Sequence, residues 1–374
     1  MRSLHHHHNS REVGSVRSRS SGQITTLITG GAGFIGTNVA GRLLEQGERV
    51  IIYDSLARPG VEKNINWLRH RFGDAVEVRL ADIRNRYALY EAVQRVQKVF
   101  HFAGQVAVTT SLDNPREDFE INMVGTLNLL EAIRQMDSPP SLLFTSTNKV
   151  YGQMNDIALQ ESGSRYEPQD QYIRNHGIGE ERSLDFHSPY GCSKGGADQY
   201  VVDYARTYGL STVVFRMSCI YGEHQLGTED QGWVAHFLIQ ALKGNPITIY
   251  GDGMQVRDVL YVGDLVDAML LAQQNASNLA GKAFSIGGGA ENTLSLIELT
   301  GLIEEMGGVY PQVQYADWRI GDQKYYVSNY SAFNKETSWK PKVSVSDGVQ
   351  RLYRWLQKEY DLRPEGVIAR ESTL

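Results

Sequence analysis

Two short segments carry residue types that could support redox chemistry on a bound nucleotide. Residues 29–36 read TGGAGFIG and follow a β-type run, as a phosphate-binding turn would. Residues 188–194 read SPYGCSK and place Tyr190 and Lys194 at a spacing that puts them on one face of a helix. The first segment suits a dinucleotide and the second suits proton transfer beside it. Together they predict hydride transfer to or from an alcohol or ketone.

The glycine turn has a G-x-x-G-x-x-G pattern formed by Gly30, Gly33 and Gly36. Glycines let the backbone approach a pyrophosphate, and the following helix N-terminus points free N–H groups at it. A tight strand-to-helix turn would explain the glycines nearly as well. Asp54, at the end of the next strand, favours NAD over NADP because a carboxylate there binds ribose hydroxyls and repels a 2′-phosphate. Arg58 weakens that preference, and Asp54 could also be a turn or helix-cap residue.

Further cofactor contacts are predicted at the ends of the following strands. Small residues after the fourth strand would let a cofactor lie against the backbone, and an acidic residue after the third could flank the adenine. His101 is expected to be a packed side chain rather than a catalytic one. The additional cofactor-binding candidates are Phe34, Ile35, Ser55, Asp82, Ile83, Ala103, Gly104 and Gln105.

The predicted proton-transfer site combines Tyr190 and Lys194 with Thr147, which follows a central strand. A free tyrosine has a pKa near 10, so serving as a base near pH 7 needs about 4 kcal/mol of phenolate stabilisation. One ammonium about 4 Å away supplies roughly that energy at an effective dielectric constant near 20. An oxidised nicotinamide would add a second positive charge. The alternative is a surface tyrosine and lysine on an amphipathic helix.

The elements that must position these residues alternate between strand and helix patterns, which predicts an α/β fold with a parallel, doubly wound Rossmann sheet. Ligands of such sheets bind beyond the carboxyl ends of the strands. The predicted strands are Ile24–Thr29, Arg49–Tyr53, Val76–Leu80, Lys98–Phe102, Ser141–Thr145 and Leu210–Arg216, and the predicted helices include Phe34–Gly47, Asp118–Met136 and Tyr190–Tyr208.

Domain boundaries follow from where this alternation changes. Residues 1–22 form a predicted tag and flexible leader, residues 23–222 mainly the NAD-binding domain, and residues 223–374 mainly a smaller C-terminal lobe that closes over the substrate. The chain is expected to cross between the two lobes. Residues 153–187 are polar and rich in turn residues, which predicts a long loop. Loops of this length are usually either functional or disordered.

Composition limits the function classes. The formal net charge of −6 and the pI near 6.0 disfavour a nucleic-acid binder. Two cysteines and the absence of a long apolar run favour a cytoplasmic protein without a membrane span. The His5–His8 run is interpreted as an expression tag, with a metal site as the less favoured alternative. No metal ligand is predicted elsewhere.

The glycine turn and the Thr147, Tyr190 and Lys194 set together resemble the extended branch of the short-chain dehydrogenase/reductase superfamily. The resemblance implies that Tyr190 is the acid/base, that Lys194 also binds the nicotinamide ribose, and that Thr147 bonds the reacting oxygen. This branch acts mostly on nucleotide-sugars. By resemblance, Arg257 and Arg319 lie in its two diphosphate-binding segments; the alternative for each arginine is a surface ion pair.

Four longer segments are more specific, namely His101–Pro115, Thr145–Gly152, Leu184–Gly195 and Asp230–Val234. They resemble CDP-sugar 2-epimerases of the CDP-paratose/CDP-tyvelose type, over residues 24–356. The resemblance implies inversion at C2 of a CDP-hexose through a 2-keto intermediate, with tightly held NAD, a firm nucleotide anchor and a loosely held sugar. Pocket candidates, for which loop hydrogen bonding is an equal alternative, are Gln105, Thr109, Ser111, Asn148 and His187.

Some positions depart from the resemblance or leave alternatives open. Met217 and Cys219 stand where many superfamily members carry an aromatic residue and an asparagine, and Cys219 is expected to line the pocket without acting as a nucleophile. Residues 161–182 match poorly. The alternatives are a 4-epimerase, a dehydratase, a reductase or a non-catalytic NAD-binding regulator. A dehydratase would need an acidic partner that Asn148 and Lys149 do not supply. The helices predicted at Asp118–Met136 and Ala197–Tyr208 could pack between subunits of a homodimer or tetramer.

Overall fold

A computed structural model describes residues 23–307, 311–319 and 321–360 of the chain. The leader predicted for residues 1–22 lies outside the described residues. No helix within the described ranges combines the length and the apolar character that crossing a bilayer requires.

Strands and helices alternate through the first half of the chain and then become less regular. The strands are β1 (Thr25–Thr29), β2 (Arg49–Asp54), β3 (Val76–Leu80), β4 (Lys98–His101), β5 (Ser141–Thr147), β6 (Leu159–Ser162), β7 (Arg165–Pro168), β8 (Thr212–Met217), β9 (Cys219–Tyr221), β10 (Ile247–Tyr250), β11 (Val256–Tyr261), β12 (Lys282–Ile286), β13 (Thr293–Ser295), β14 (Val313–Ala316) and β15 (Tyr325–Tyr326). The helices are α1 (Phe34–Glu45), α2 (Glu62–Phe72), α3 (Arg86–Val93), α4 (Val108–Asp113), α5 (Pro115–Phe119), α6 (Gly125–Arg134), α7 (Gln171–His176), α8 (Ser188–Tyr208), α9 (Trp233–Leu242), α10 (Val262–Gln274), α11 (Leu296–Gly307), α12 (Ser331–Thr337) and α13 (Val345–Glu359).

The main sheet has seven parallel strands in the order β12-β8-β5-β4-β1-β2-β3. Its central strands are buried apolar runs, as expected when helices cover both faces of a parallel sheet. Since the chain leaves β1 and β4 in opposite directions along the order, a crevice opens between their carboxyl ends. The prediction of a doubly wound Rossmann sheet is confirmed.

Neighbouring residues of β1 show how the two faces are filled. Ile28 belongs to an apolar core with α1 and α10, whereas Leu27 belongs to a second core with α3, α6 and α8. Successive side chains of a strand point to opposite faces, so each strand serves both cores. The two helical layers hold the strand ends, and therefore the crevice, in a fixed geometry.

The smaller lobe is built around β11, which pairs with β9, β13 and β15, and around the separate pair β10 and β14. Two strands link it to the main sheet. The short strand β9 follows β8 directly but pairs with β11, and β12 returns from the lobe to extend the main sheet beyond β8. The chain therefore crosses between the lobes on both sides of residue 222, and each lobe contains segments from both halves of the sequence.

The region predicted as a long loop, residues 153–187, carries regular structure. The strands β6 and β7 form a hairpin, and α7 follows them. Met154, Ile157 and Ile178 pack with Tyr151 and Tyr326 in a separate small apolar cluster. These apolar residues are too widely spaced to form a periodic pattern, which is why the sequence suggested a loop.

The helix predicted at Asp118–Met136 is interrupted. A π-helical turn at Glu120–Val124 separates α5 from α6. Such turns insert one extra residue and often occur near functional sites. Here the turn faces the amino-terminal part of α8, which carries Tyr190.

Candidate active site

A cavity of about 790 Å³ lies beyond the carboxyl ends of the central strands and extends to the smaller lobe. The glycine turn lines one end, and Tyr190 and Lys194 lie along its wall. Arg257 and Arg319 line the lobe side. One continuous space therefore joins the predicted cofactor, proton-transfer and diphosphate sites.

The glycine turn leaves no room for side chains. A Cβ atom at Gly30, where φ is +68°, would lie 2.6 Å from the backbone nitrogen of Ala103. A Cβ atom at Gly36 would lie 2.6 Å from the carbonyl oxygen of Gly30. Helix α1 begins after Gly33 without a side-chain cap, so its first N–H groups stay available for an anion. This cradle fits the diphosphate of a dinucleotide.

Asp54 lines the cavity and also organises the glycine turn. Its Oδ2 accepts a hydrogen bond from the Ala32 nitrogen at 3.0 Å, and its Oδ1 accepts one from the Leu56 nitrogen at 2.8 Å. Burial raises the pKa of this carboxyl group. Asp54 therefore acts as a turn residue, which is one of the two roles expected from the sequence. Its contact with the ribose of the cofactor stays a prediction, and the position of the carboxylate in the cavity wall is compatible with it.

Most of the other cofactor candidates also line the cavity. Arg58 donates a hydrogen bond to Gln231, which lies on the lobe side of the cavity. Asp82 forms an ion pair with Arg84, in which Arg84 Nη2 lies 2.7 Å from Asp82 Oδ2. Gln105 lies outside the lining, because its amide nitrogen donates to the Ala107 carbonyl oxygen at 2.7 Å. The lining candidates are Gly30, Gly33, Phe34, Ile35, Gly36, Asp54, Ser55, Arg58, Asp82, Ile83, Ala103 and Gly104.

The predicted proton-transfer residues come together as expected. Tyr190 and Lys194 lie on the first turns of α8, and both are almost fully buried. Thr147 ends β5 and shares a hydrogen bond with the Tyr190 hydroxyl. Lys194 Nζ donates to the Thr145 carbonyl oxygen at 2.6 Å and lies 4.2 Å from the centre of the Phe144 ring.

The charge state of Tyr190 differs from the simple expectation. Burial raises the pKa of Tyr190 to about 12, and the hydrogen bond from Thr147 only partly opposes that rise. Burial likewise lowers the pKa of Lys194 to about 8, although Asp198 and Asp118 favour its charged form. Burial therefore outweighs the expected stabilisation of the phenolate in this protein environment. The positive charge of an oxidised nicotinamide would act in the same direction as the ammonium.

A buried polar network behind Lys194 was not predicted. Ser193 Oγ donates to Asp118 Oδ2 at 2.5 Å, and Asn122 Nδ2 donates to Ser193 Oγ at 3.0 Å and to the Gln105 carbonyl oxygen at 3.1 Å. Asn122 lies in the π-helical turn, which turns its amide toward α8. The only sequence signal was polar residues on the inner face of a helix, and this signal does not reveal partners from other segments.

The predicted sugar-pocket residues divide into two groups. Thr109 and Asn148 line the cavity, and Thr109 Oγ1 is buried without a hydrogen-bond partner among the described residues. Ser111 instead accepts from the Tyr190 nitrogen at 3.2 Å, and His187 pairs with Asp185, so neither lines the cavity. Ser146, which the sequence did not single out, has a buried unpartnered hydroxyl in the cavity lining.

Both candidate phosphate-binding arginines have protein partners. The Arg257 guanidinium is buried and donates from Nη2 to Asp322 Oδ1 at 2.8 Å. Arg319 donates to the Glu229 carbonyl oxygen at 3.0 Å and lies 3.8 Å from the Tyr250 ring centre. Both arginines line the cavity, where a phosphate could replace one of their protein partners. The observed contacts are therefore compatible with the predicted phosphate-binding role.

A family profile described as GDP-mannose 4,6 dehydratase matches residues 27–352, which is most of the chain. The chain belongs to this family. Within the family's range of activities, it is 45 % identical to the CDP-paratose 2-epimerase of Salmonella typhi over 336 residues, covering 88 % of this chain and 98 % of that protein. The predicted resemblance to CDP-sugar 2-epimerases is confirmed.

Solved structures of epimerases share the fold. The UDP-glucose 4-epimerase of Thermus thermophilus in complex with NAD has a TM-score of 0.74 and 31 % identity, covering 89 % of this chain and 99 % of that one. The UDP-glucuronic acid 4-epimerase of Bacillus cereus, in complex with UDP-glucuronic acid and NAD, has a TM-score of 0.76 and 26 % identity, covering 90 % and 100 %. This member of the dehydratase family is thus built on the same scaffold as NAD-dependent epimerases.

The two positions that the resemblance marked as departures, Met217 and Cys219, both lie in the cavity wall. Met217 and Cys219 flank the end of β8, and the Cys219 Sγ accepts a hydrogen bond from Trp233 Nε1 at 3.3 Å. Burial raises the pKa of Cys219, which keeps the thiol protonated. A pocket-lining role agrees with this environment better than a nucleophilic one.

Proposed function

We propose that the protein is an NAD-dependent epimerase that inverts C2 of a CDP-hexose of the CDP-paratose/CDP-tyvelose type. The observation that carries the proposal is the joining of Thr147, Tyr190 and Lys194 to the glycine turn and to Arg257 in one cavity. The near-complete coverage of the Salmonella 2-epimerase supports the choice of carbon and nucleotide.

The chain's own residues account for the proton movement. When bound, NAD⁺ supplies a hydride acceptor and a positive charge beside the phenol. Tyr190 takes the proton of the C2 hydroxyl as C2 loses its hydride, and Thr147 holds the same oxygen. Lys194 keeps a positive charge close to the developing phenolate. Once the flat 2-keto sugar has turned, Tyr190 would return the proton to the C2 oxygen while the reduced cofactor, when bound, supplies the hydride to the other face of C2.

The arginines explain how the sugar can turn without leaving. Charge-assisted, often bidentate bonds from Arg257 and Arg319 would anchor the diphosphate. Since C2 adjoins the anomeric carbon that bears the diphosphate, rotation about that linkage changes which face of C2 is presented. Thr109, Ser146 and Asn148 supply the sugar side with hydroxyl and amide groups and no charge, which suits a loosely held ring.

The test is incubation with CDP-tyvelose in D₂O without added cofactor, followed by NMR of the sugar. The proposal expects CDP-paratose without deuterium at C2, because a bound cofactor takes and returns the same hydride. Deuterium at C2 would replace hydride transfer with direct proton abstraction. No conversion would reject this substrate, and a panel of UDP-, GDP- and CDP-hexoses would then test the 4-epimerase, dehydratase and reductase alternatives.

We also propose a homo-oligomer that packs through α5, α6 and α8. These helices lie side by side and expose Phe119, Tyr200 and Tyr208. Large exposed apolar side chains on one surface are typical of subunit contacts. Light scattering that compares the wild type with Phe119→Glu tests this proposal. The wild type should have the mass of an oligomer and the variant a lower mass, and a monomer mass for both proteins would contradict the proposal. The free cysteines, Cys192 and Cys219, fit the predicted cytoplasmic location.

A further inference from the structure

Lys149 occupies a position between the proton-transfer residues and the arginines. It lies in the 3₁₀ turn Asn148–Tyr151 that follows β5, and its backbone nitrogen donates to Thr147 Oγ1 at 3.2 Å. Its side chain extends toward the lobe, where Nζ donates to the Gly321 carbonyl oxygen at 3.3 Å. One residue therefore connects the hydroxyl beside Tyr190 to the segment that carries Arg319.

The surroundings of the Lys149 ammonium are those of an anion site. It faces Arg257, Asp322 and Cys219, and it lines the cavity. No carboxylate of the described residues lies within ion-pair distance of Nζ, and Asp322 is already bonded to Arg257. Two like charges side by side in a partly buried wall repel each other unless an anion lies between them.

The protonation equilibrium of Lys149 agrees with that picture. Burial, together with the nearby Arg257, lowers the pKa of Lys149 to about 8, and Asp322 and Cys219 partly oppose that decrease. A bound phosphate would favour the charged form and raise the pKa again. Burying the Lys149 ammonium costs solvation free energy, and only one of its three N–H donors has a partner among the described residues, the Gly321 carbonyl oxygen. These two features indicate a negatively charged ligand.

We propose that Lys149 binds the sugar-proximal phosphate of the nucleotide-sugar and thereby places C2, rather than a more distant carbon, at Tyr190. This inference rests on the proposed function. It gives a binding role to Lys149, for which the sequence indicated only that it cannot serve as the acidic residue of a dehydratase.

The regiochemical argument follows from covalent distances. Only the anomeric carbon and one bridging oxygen separate C2 from the sugar-proximal phosphorus, whereas C4 lies across the ring. The Lys149 backbone nitrogen bonds Thr147 and its ammonium extends toward the lobe, so a phosphate held there lies about one lysine side chain from Thr147, which favours C2 at the Tyr190 hydroxyl. To present C4 there, the phosphate would have to lie farther into the lobe, beyond the reach of Lys149. Lys149 thus acts as a spacer as well as a phosphate ligand.

The binding test compares CDP with CMP by isothermal titration calorimetry, in parallel with UDP and UMP, on the cofactor-loaded protein. Lys149→Gln removes the charge, Lys149→Arg keeps it, and Lys342→Gln removes a lysine from an exposed ion pair with Asp267. We expect Lys149→Gln to weaken diphosphate binding about tenfold to hundredfold while monophosphate binding changes little. Lys149→Arg should recover much of the loss, and Lys342→Gln should match the wild type.

Further outcomes keep the inference separate from the proposed function. Diphosphate affinity should fall as the pH rises above about 8 in the wild type, and Lys149→Gln should lose that dependence. Unchanged CDP and UDP affinity in Lys149→Gln, with retained NAD and an unchanged melting temperature, would overturn the inference. If Lys149→Gln weakens binding but the wild type does not convert CDP-tyvelose, the phosphate contact stands and the C2 assignment falls.

Discussion

The two ends of the cavity recognise their ligands by different physical means. The cofactor end is shaped by backbone: at Gly30 and Gly36 an added Cβ would lie within 2.6 Å of backbone atoms. The lobe end is shaped by charged side chains, of which Arg257 and Arg319 already have protein partners. A backbone cradle is rigid and suits a cofactor that stays bound. Side chains that exchange partners suit a substrate that must enter, turn and leave.

Tyr190→Phe should separate chemistry from binding at both ends, and it has the largest expected effect. Removing the hydroxyl takes away the acid/base, so turnover should fall about 10²–10⁴-fold while NAD content and CDP binding stay near the wild-type values. Turnover and the cofactor released on denaturation are the measurements. Full activity would reject the mechanism, whereas loss of turnover with retained cofactor would reject the regulator alternative.

Gly36→Ala should break the cofactor end alone. The new methyl group would lie 2.6 Å from the Gly30 carbonyl oxygen and the Gly31 Cα. Relieving such overpacking costs about 1–3 kcal/mol and moves the turn, so co-purified NAD should fall sharply while CDP binding persists. Cofactor content and CDP titration measure the two effects.

Gly301→Ala is the matched control for that substitution. Gly301 lies inside α11, and a Cβ atom there would meet nothing within 4 Å. Replacing a helical glycine in open space should stabilise the fold by about 0.5–1 kcal/mol without changing NAD content. Equal NAD loss in both variants would show that the glycine turn is not a specific cradle.

Arg257→Lys and Arg257→Ala should weaken the lobe end alone. A lysine keeps the charge but loses the bidentate geometry, and alanine also leaves Asp322 without its partner. KM should rise roughly tenfold for lysine and about a hundredfold for alanine, with a smaller change in kcat and none in NAD content. A pure kcat defect would contradict the anchoring role.

The ionisation of Tyr190 should give the smallest measurable effect, a change in phenolate absorbance with pH. It tests whether the cofactor bound at one end of the cavity changes the proton-transfer residue beside the substrate. Burial favours the neutral phenol and raises its pKa to about 12, so cofactor-stripped protein should show no Tyr190 phenolate near pH 9. Difference absorbance between the wild type and Tyr190→Phe measures this. A positive charge from bound NAD⁺ should lower the pKa and make the phenolate visible. A phenolate in stripped protein at that pH would contradict the burial effect.

The sequence was informative where a motif depends on local structure. The glycine turn, the spacing of Tyr190 and Lys194, and the apolar strands are set by neighbouring residues, so they were predicted within a few residues. Phe34–Gly47 was predicted for a helix that ends at Glu45, and Val76–Leu80 agrees with β3.

Features that depend on distant partners were not predictable. The return of β12 to the main sheet and the Asp118 network form between segments far apart in the chain. The hairpin of β6 and β7 is local, but its Leu159 packs against a cluster that includes the distant Tyr326. The raised pKa of Tyr190 has the same origin, since burial is a property of the assembled core. The sequence identified Lys149 only as a residue that cannot replace the acid of a dehydratase, because its binding role depends on Arg257 and Asp322, which join it only in the folded cavity.

The late arrival of β12 has a consequence for how the chain is made. While the protein is being synthesised, β8 is the last strand of an open sheet until residues 282–286 have left the ribosome and paired with it. An unpaired apolar edge invites association with other nascent chains. A fragment that stops at residue 222 would keep that edge permanently, so we expect a simple truncation to give an aggregation-prone dinucleotide-binding half. Its solubility depends on a strand encoded within the other half.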